Sequence, residues 1–130
     1  MTIWRFTVLF VGGVSAAIGV VIFNAPQAFY DAVPGLDLMG PYNVHFIRDV
    51  SLAYLASGAM LIAGGVLLDR RLALAGTLWF VLHALFHWQI WLHRGLPFDY
   101  IFWFDLFAVI IPSFLALLAS LRLLPNEILD

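Results

Sequence analysis

Leu72–Leu92 reads "LALAGTLWFVLHALFHWQIWL", and its only ionisable side chains are His83 and His87. The run reaches the roughly 20 apolar residues, at ~1.5 Å rise each, that cross a hydrocarbon core. It therefore predicts a transmembrane helix whose polar chemistry is confined to one half. Three further runs reach the same length: about Phe6–Phe23, Val44–Leu68 and Tyr100–Leu121. The pattern predicts an all-α integral membrane protein. Its four transmembrane helices form one bundle and a single domain over residues 1–130.

Composition agrees with this class. Hydrophobic residues make up 64% of the chain and charged residues 11%, against roughly 25% charged in ordinary soluble domains. So little charge cannot clothe a water-soluble surface, so the lipid bilayer is the expected partner. A net charge of −2 without a single Lys argues against nucleic acid. The absence of Cys excludes disulfides, thiol catalysis and thiolate-held metal clusters.

The connections fit four spans. Asp69-Arg70-Arg71 is a tight polar turn, and Gly95 and Pro97 break the chain between the third and fourth spans. Residues 24–43 form a longer interfacial loop, in which Asn24 and Pro26 predict the start of a short helix ended by Pro34-Gly35. The first span has only Arg5 ahead of it and no small-residue cleavage site after it, so it reads as a retained anchor.

Arg5, Arg70, Arg71 and Arg122 fall on one side of this topology, and Arg48 and Arg94 on the other. The asymmetry predicts both termini in the cytoplasm, as in a bacterial inner-membrane protein. Tyr42, Trp88, Trp91, Tyr100 and Trp103 then gather as an aromatic belt at the outer interface.

The ionisable residues within the spans converge on the outer third of the bilayer. His45 and Asp49 open the second span, His83 and His87 sit near the end of the third, and Asp105 lies early in the fourth. Positions 45, 49, 53, 56, 60 and 63 form one stripe of small and polar residues. Positions 105, 108, 112, 116 and 119 form another, as do Gly76, Phe80, His83 and His87. In the first span Gly12, Gly13, Ser15, Ala16, Ala17 and Gly19 supply a surface without ionisable groups. Small residues mark faces where membrane helices approach closely, so both acids are expected on packing faces, with Arg48 pairing them. Pro112 predicts a kink one to two turns from Asp105.

Intramembrane ionisable groups mark functional sites by default. His45, Asp49, His83, His87 and Asp105 are candidate ligands of a transition metal (zinc, copper or iron), because imidazole and carboxylate suit such ions. Arg48 is the supporting cation. Haem stands behind this reading, since Arg48, Asp49 and Asp105 would crowd a porphyrin. A redox or polar-ligand pocket is the related alternative. The bland alternative is a polar network that glues helices in a non-catalytic accessory subunit, partnered by other membrane subunits or by further copies of the chain. The plan resembles small bacterial four-helix inner-membrane proteins of the DoxX-like kind in size and topology. No motif carries the likeness, so it implies no residue roles.

Overall fold

The computed structural model describes residues 1–123. It contains helix α1 (Ile3–Asn24), a short helix α2 (Pro26–Ala32), a 3₁₀ turn (Asp37–Met39), α3 (Val44–Leu67) and α4 (Arg70–His93). Helix α5 (Tyr100–Asp105) runs through a π-helical turn (Leu106–Ile110) into α6 (Ile111–Arg122). Four helical units are long and apolar enough to cross a membrane: α1, α3, α4 and the composite Tyr100–Arg122. All four predicted spans are present, with ends shifted by a few residues.

Polar caps set the boundaries. The Asn43 side chain accepts from the backbone N–H of His45 and Phe46. Asp69 accepts from Arg71 and Leu72. Asp99 accepts from Phe102. Each cap satisfies N–H groups that the first helical turn leaves without partners. Helix α2 begins at Pro26, where a missing N–H costs nothing. Asn24 does not cap it; its side-chain amide donates instead to the Val20 carbonyl inside α1, at 2.8 Å. Within the interfacial loop the Tyr30 hydroxyl donates to the Gly40 carbonyl at 2.6 Å, and its ring meets Tyr42 edge-on.

The helices form a ring in which α1 packs on α3, α3 on α4, α4 on α6 and α6 on α1. Glycines bring the backbones together. A Cβ on Gly58 would lie 2.7 Å from the Ala16 nitrogen and 2.8 Å from the Gly12 carbonyl oxygen. One on Gly76 would lie 3.0 Å from the Ser57 carbonyl oxygen. Arg5 Nε donates to the Gly65 carbonyl at 2.9 Å, and the Arg122 guanidinium covers the Trp4 ring at 5.4 Å. The start of α1 and the end of α6 therefore meet beside the Asp69 turn. The apolar core of Val8, Leu61, Ala73, Phe80, Ala116 and Ala119 fills that half of the bundle.

The packing face of α3 differs from expectation. Its buried residues are Ile47, Ser51, Ser57, Gly58, Leu61, Gly64 and Gly65, whereas His45 and Asp49 are exposed. The expected 45-49-53-56-60-63 stripe has Ala as its small residue, at three of its six positions; the stripe in use holds Gly. Direct backbone contact requires residues without a Cβ, so the glycines decide which way α3 faces. On α1, for the same reason, Gly12, Ser15 and Gly19 are buried, while Gly13 and Ala17 are exposed. The α4 stripe is as expected at Gly76 and Phe80; in the fourth span Asp105, Ala116 and Ala119 are buried, but Ala108, in the π turn, is exposed and Pro112 half-buried.

Candidate functional site

Helices α4 and α5 position the polar centre. His87 lies six residues before the end of α4 and Asp105 five residues after the start of α5, so each sits roughly 8–9 Å inside its helix end. His87 Nδ1 is 2.9 Å from Asp105 Oδ2, and the two side chains are 19% and 11% exposed. The approach is oblique: Nδ1 is enclosed and within contact distance, but its N–H does not point at the oxygen. The contact therefore rests more on electrostatic attraction than on a well-aligned hydrogen bond.

A column of rings continues from this pair toward the middle of the bundle. The His83 ring meets the His87 ring edge-on, with centroids 4.6 Å apart. On its other side His83 stacks on Trp79, at 4.7 Å and 12° between planes. Trp79 in turn meets the Tyr54 ring of α3 at 4.8 Å. The i, i+4 spacing of Trp79, His83 and His87 places all three on one face of α4, and the facing residues come from α3 and α5. The arrangement joins a buried carboxylate to imidazoles that can both donate and accept protons.

A cavity of about 150 Å³, open to the outside of the bundle, adjoins this column. Its wall includes Val14 and Ser15 of α1, Tyr54, His83, and Pro112 and Ser113 of α6. The π turn borders it. The Ile111 N–H bonds to the Leu106 carbonyl, five residues back, and Pro112 follows at once. Proline removes the N–H that the Ala108 carbonyl would need, and its ring crowds that carbonyl; a wider turn relieves both. Ser113 Oγ donates to the Val109 carbonyl at 2.6 Å, satisfying a second carbonyl of the same turn. The predicted kink is thus a π turn that starts directly after Asp105.

The five candidate ligands do not form one group. His83, His87 and Asp105 come together. His45 and Asp49 contact each other at 3.6 Å on the outer face of α3, with side chains 87% and 57% exposed. Among the described residues no group of three or more His, Cys, Asp or Glu side chains is arranged to hold a metal ion. Arg48 pairs with neither acid of the predicted cluster; its guanidinium lies over the Phe23 ring at 5.3 Å. These departures share one cause, the rotation of α3 that its glycines impose.

The end of the bundle near Asp99 is aromatic, as expected. Trp88 meets Trp91, Trp91 meets Phe102, and Phe102 meets Trp103. Arg94 forms an ion pair with Asp99. That guanidinium and the Phe102 N–H hold the Asp99 carboxyl below the usual carboxylate range. His93 Nδ1 lies 2.8 Å from the Gln89 carbonyl oxygen.

Sequence reasoning missed Tyr54 and Trp79 as members of the site. Trp79 was within reach, since it extends the His83–His87 spacing by one more turn. Tyr54 carries no local signal, because its role depends on how α3 is rotated. Comparison of the chain with family models, with curated proteins and with solved structures returns no match in any of the three.

Proposed function

We propose that this four-helix membrane protein is a ligand-binding protein whose polar wall is His83, His87 and Asp105. The observation that carries the reading is the 2.9 Å contact between His87 and Asp105, made between two helices and largely enclosed. Taking an ionisable pair out of water is costly, and such groups inside a membrane mark functional sites by default. The adjoining cavity gives the pair a function, because a bound molecule there meets His83, a group able to donate or accept a proton. In this reading His83 contacts the ligand and His87 links it to Asp105.

A redox role is a narrower form of the same proposal. The Arg distribution supports a bacterial inner-membrane setting with the Asp69 turn in the cytoplasm. The polar wall then lies in the outer half of the bilayer.

Mass spectrometry of small molecules extracted from the protein in native-lipid nanodiscs tests the reading. A species near one equivalent is expected with the wild type and lost in His87→Asn and Asp105→Asn. An empty wild type, or equal loading of the variants, overturns it. The same samples are assayed for zinc, copper and iron. One equivalent of metal that vanishes in His87→Asn would make this a metal centre instead.

A further inference from the structure

We infer that the cavity beside His83 receives the ring-sized head of a membrane-dissolved amphiphile, a phenol-like group on a hydrocarbon tail, entering sideways between α1 and α6. The inference rests on the ligand-site reading above and names the class of ligand.

Three observations carry it. The first is size: the cavity holds about 150 Å³, and a roughly 150 Å³ apolar cavity in a protein takes up benzene. One ring fits this volume. The second is the position of the mouth. Phe10, Val14 and Ile18 of α1 line the cavity and are also exposed on the outside of the bundle, as is Ala108 of the π turn. In a chain whose helices cross a membrane, that outside is hydrocarbon. A tail can stay there while the head enters.

The third is the chemistry of the wall. It is apolar apart from His83, Tyr54, Ser15 and Ser113. The Ser113 hydroxyl is already committed to the Val109 carbonyl. His83 is held by stacking on Trp79 and connects through His87 to Asp105; the Tyr54 and Ser15 hydroxyls also reach the cavity but have no carboxylate behind them, so His83 is the group assigned to the hydrogen bond with a phenolic oxygen. A charged head would meet no counter-ion on this wall, and a plain hydrocarbon would leave the imidazole unused.

The test uses 4-hexylphenol and hexylbenzene, each titrated into nanodiscs that contain the whole protein. Occupancy is read from the NMR signal of the His87 ring, which lies against His83. The wild type should half-saturate at about tenfold lower mole fraction of the phenol, the preference expected from one hydrogen bond of ordinary net strength. His83→Phe keeps the stacked ring and should bring the phenol down to the level of hexylbenzene. His83→Gln, which retains hydrogen-bonding groups, should restore part of the preference. Ala108→Trp adds bulk at the exposed mouth and should abolish saturable binding of both probes. Variants are compared only where helicity and elution match the wild type.

No saturable shift in the wild type, or an undiminished preference in His83→Phe, overturns the inference. If either occurs while the co-purified species still depends on His87 and Asp105, this inference falls alone. If the probes bind as expected while that dependence is missing, the ligand-site reading falls in its His87–Asp105 part and the cavity assignment stands.

Discussion

Replacing His87 and Asp105 by Leu, singly and together, measures what the central contact is worth. The two side chains are 19% and 11% exposed and 2.9 Å apart. Either single change leaves the partner's polar atoms without their principal neighbour. An unsatisfied buried group costs roughly 1–3 kcal/mol. Hydrogen bonds between membrane helices average about 0.6 and reach about 1.7 kcal/mol, and the oblique approach of Nδ1 removes part of the directional share. Breaking a buried ion pair costs more, about 3–5 kcal/mol. The double variant leaves neither group stranded and packs Leu against Leu, so it should be destabilised by less than the two single changes summed. We expect a coupling energy of about 1–2 kcal/mol from reversible unfolding in bicelles. Additivity of the three variants within about 0.5 kcal/mol, the behaviour of independent sites, would refute the reasoning and reduce the pair to neighbours that do not interact. A coupling above about 3 kcal/mol would show that the pair is ionised.

Gly58→Ala should cost about 1–3 kcal/mol, because the new Cβ would meet backbone atoms of Gly12 and Ala16; Gly13→Ala, where a Cβ meets nothing within 4 Å, is the matched control in the same unfolding assay. Asp99→Asn keeps a capping side chain but loses the charge that pairs with Arg94. The Asp99 carboxyl is held low in the folded protein, so its stabilisation is present above the unfolded carboxylate range, near pH 4, and is lost as pH falls through the lower folded value. Melting of the wild type and Asp99→Asn should therefore differ at pH 7 and draw together as the pH falls below the ordinary carboxylate range; a constant gap would contradict the assignment. A periplasm-active reporter fused after Asp130 should stay silent, and strong activity would invert the proposed orientation.

Much of the fold was legible because length and hydropathy act on whole segments. Phe6–Phe23, Val44–Leu68, Leu72–Leu92 and Tyr100–Leu121 are each fixed by many residues at once, and a few substitutions would not hide them. The caps at Asn43, Asp69 and Asp99 mark the starts of α3, α4 and α5, whereas Asn24, the cap expected from the sequence, bonds back into α1. The site was legible on α4 for a similar reason. His83 and His87 share a face whatever surrounds them, and Asp105 meets that face because α5 enters the bundle at the same depth. The failure on α3 is of another kind. Two stripes competed for the interior, one bearing His45, Asp49 and Ala, the other Ser51, Gly58, Leu61 and Gly65. Counting small residues does not separate them. Only the neighbouring backbones do, by approaching so closely at Gly58 that no Cβ is tolerated.

That rotation also accounts for how the site is built. With Ser51, Gly58 and Leu61 turned inward, Tyr54 faces the bundle and meets Trp79, while His45 and Asp49 face away. The polar centre is left with one acid and two imidazoles in place of two acids and three. A five-ligand set could satisfy a metal. A single carboxylate behind two imidazoles that meet edge to face instead forms a line, with Asp105 at one end and the cavity at the other. The π turn supports the same arrangement, since it begins at the residue after Asp105 and borders the cavity wall at Ala108 and Val109. Pro112 is therefore more than a kink in the fourth span. By widening the helix between the acid and the cavity, it helps set both ends of the line along which the proposed ligand and Asp105 communicate through His83 and His87.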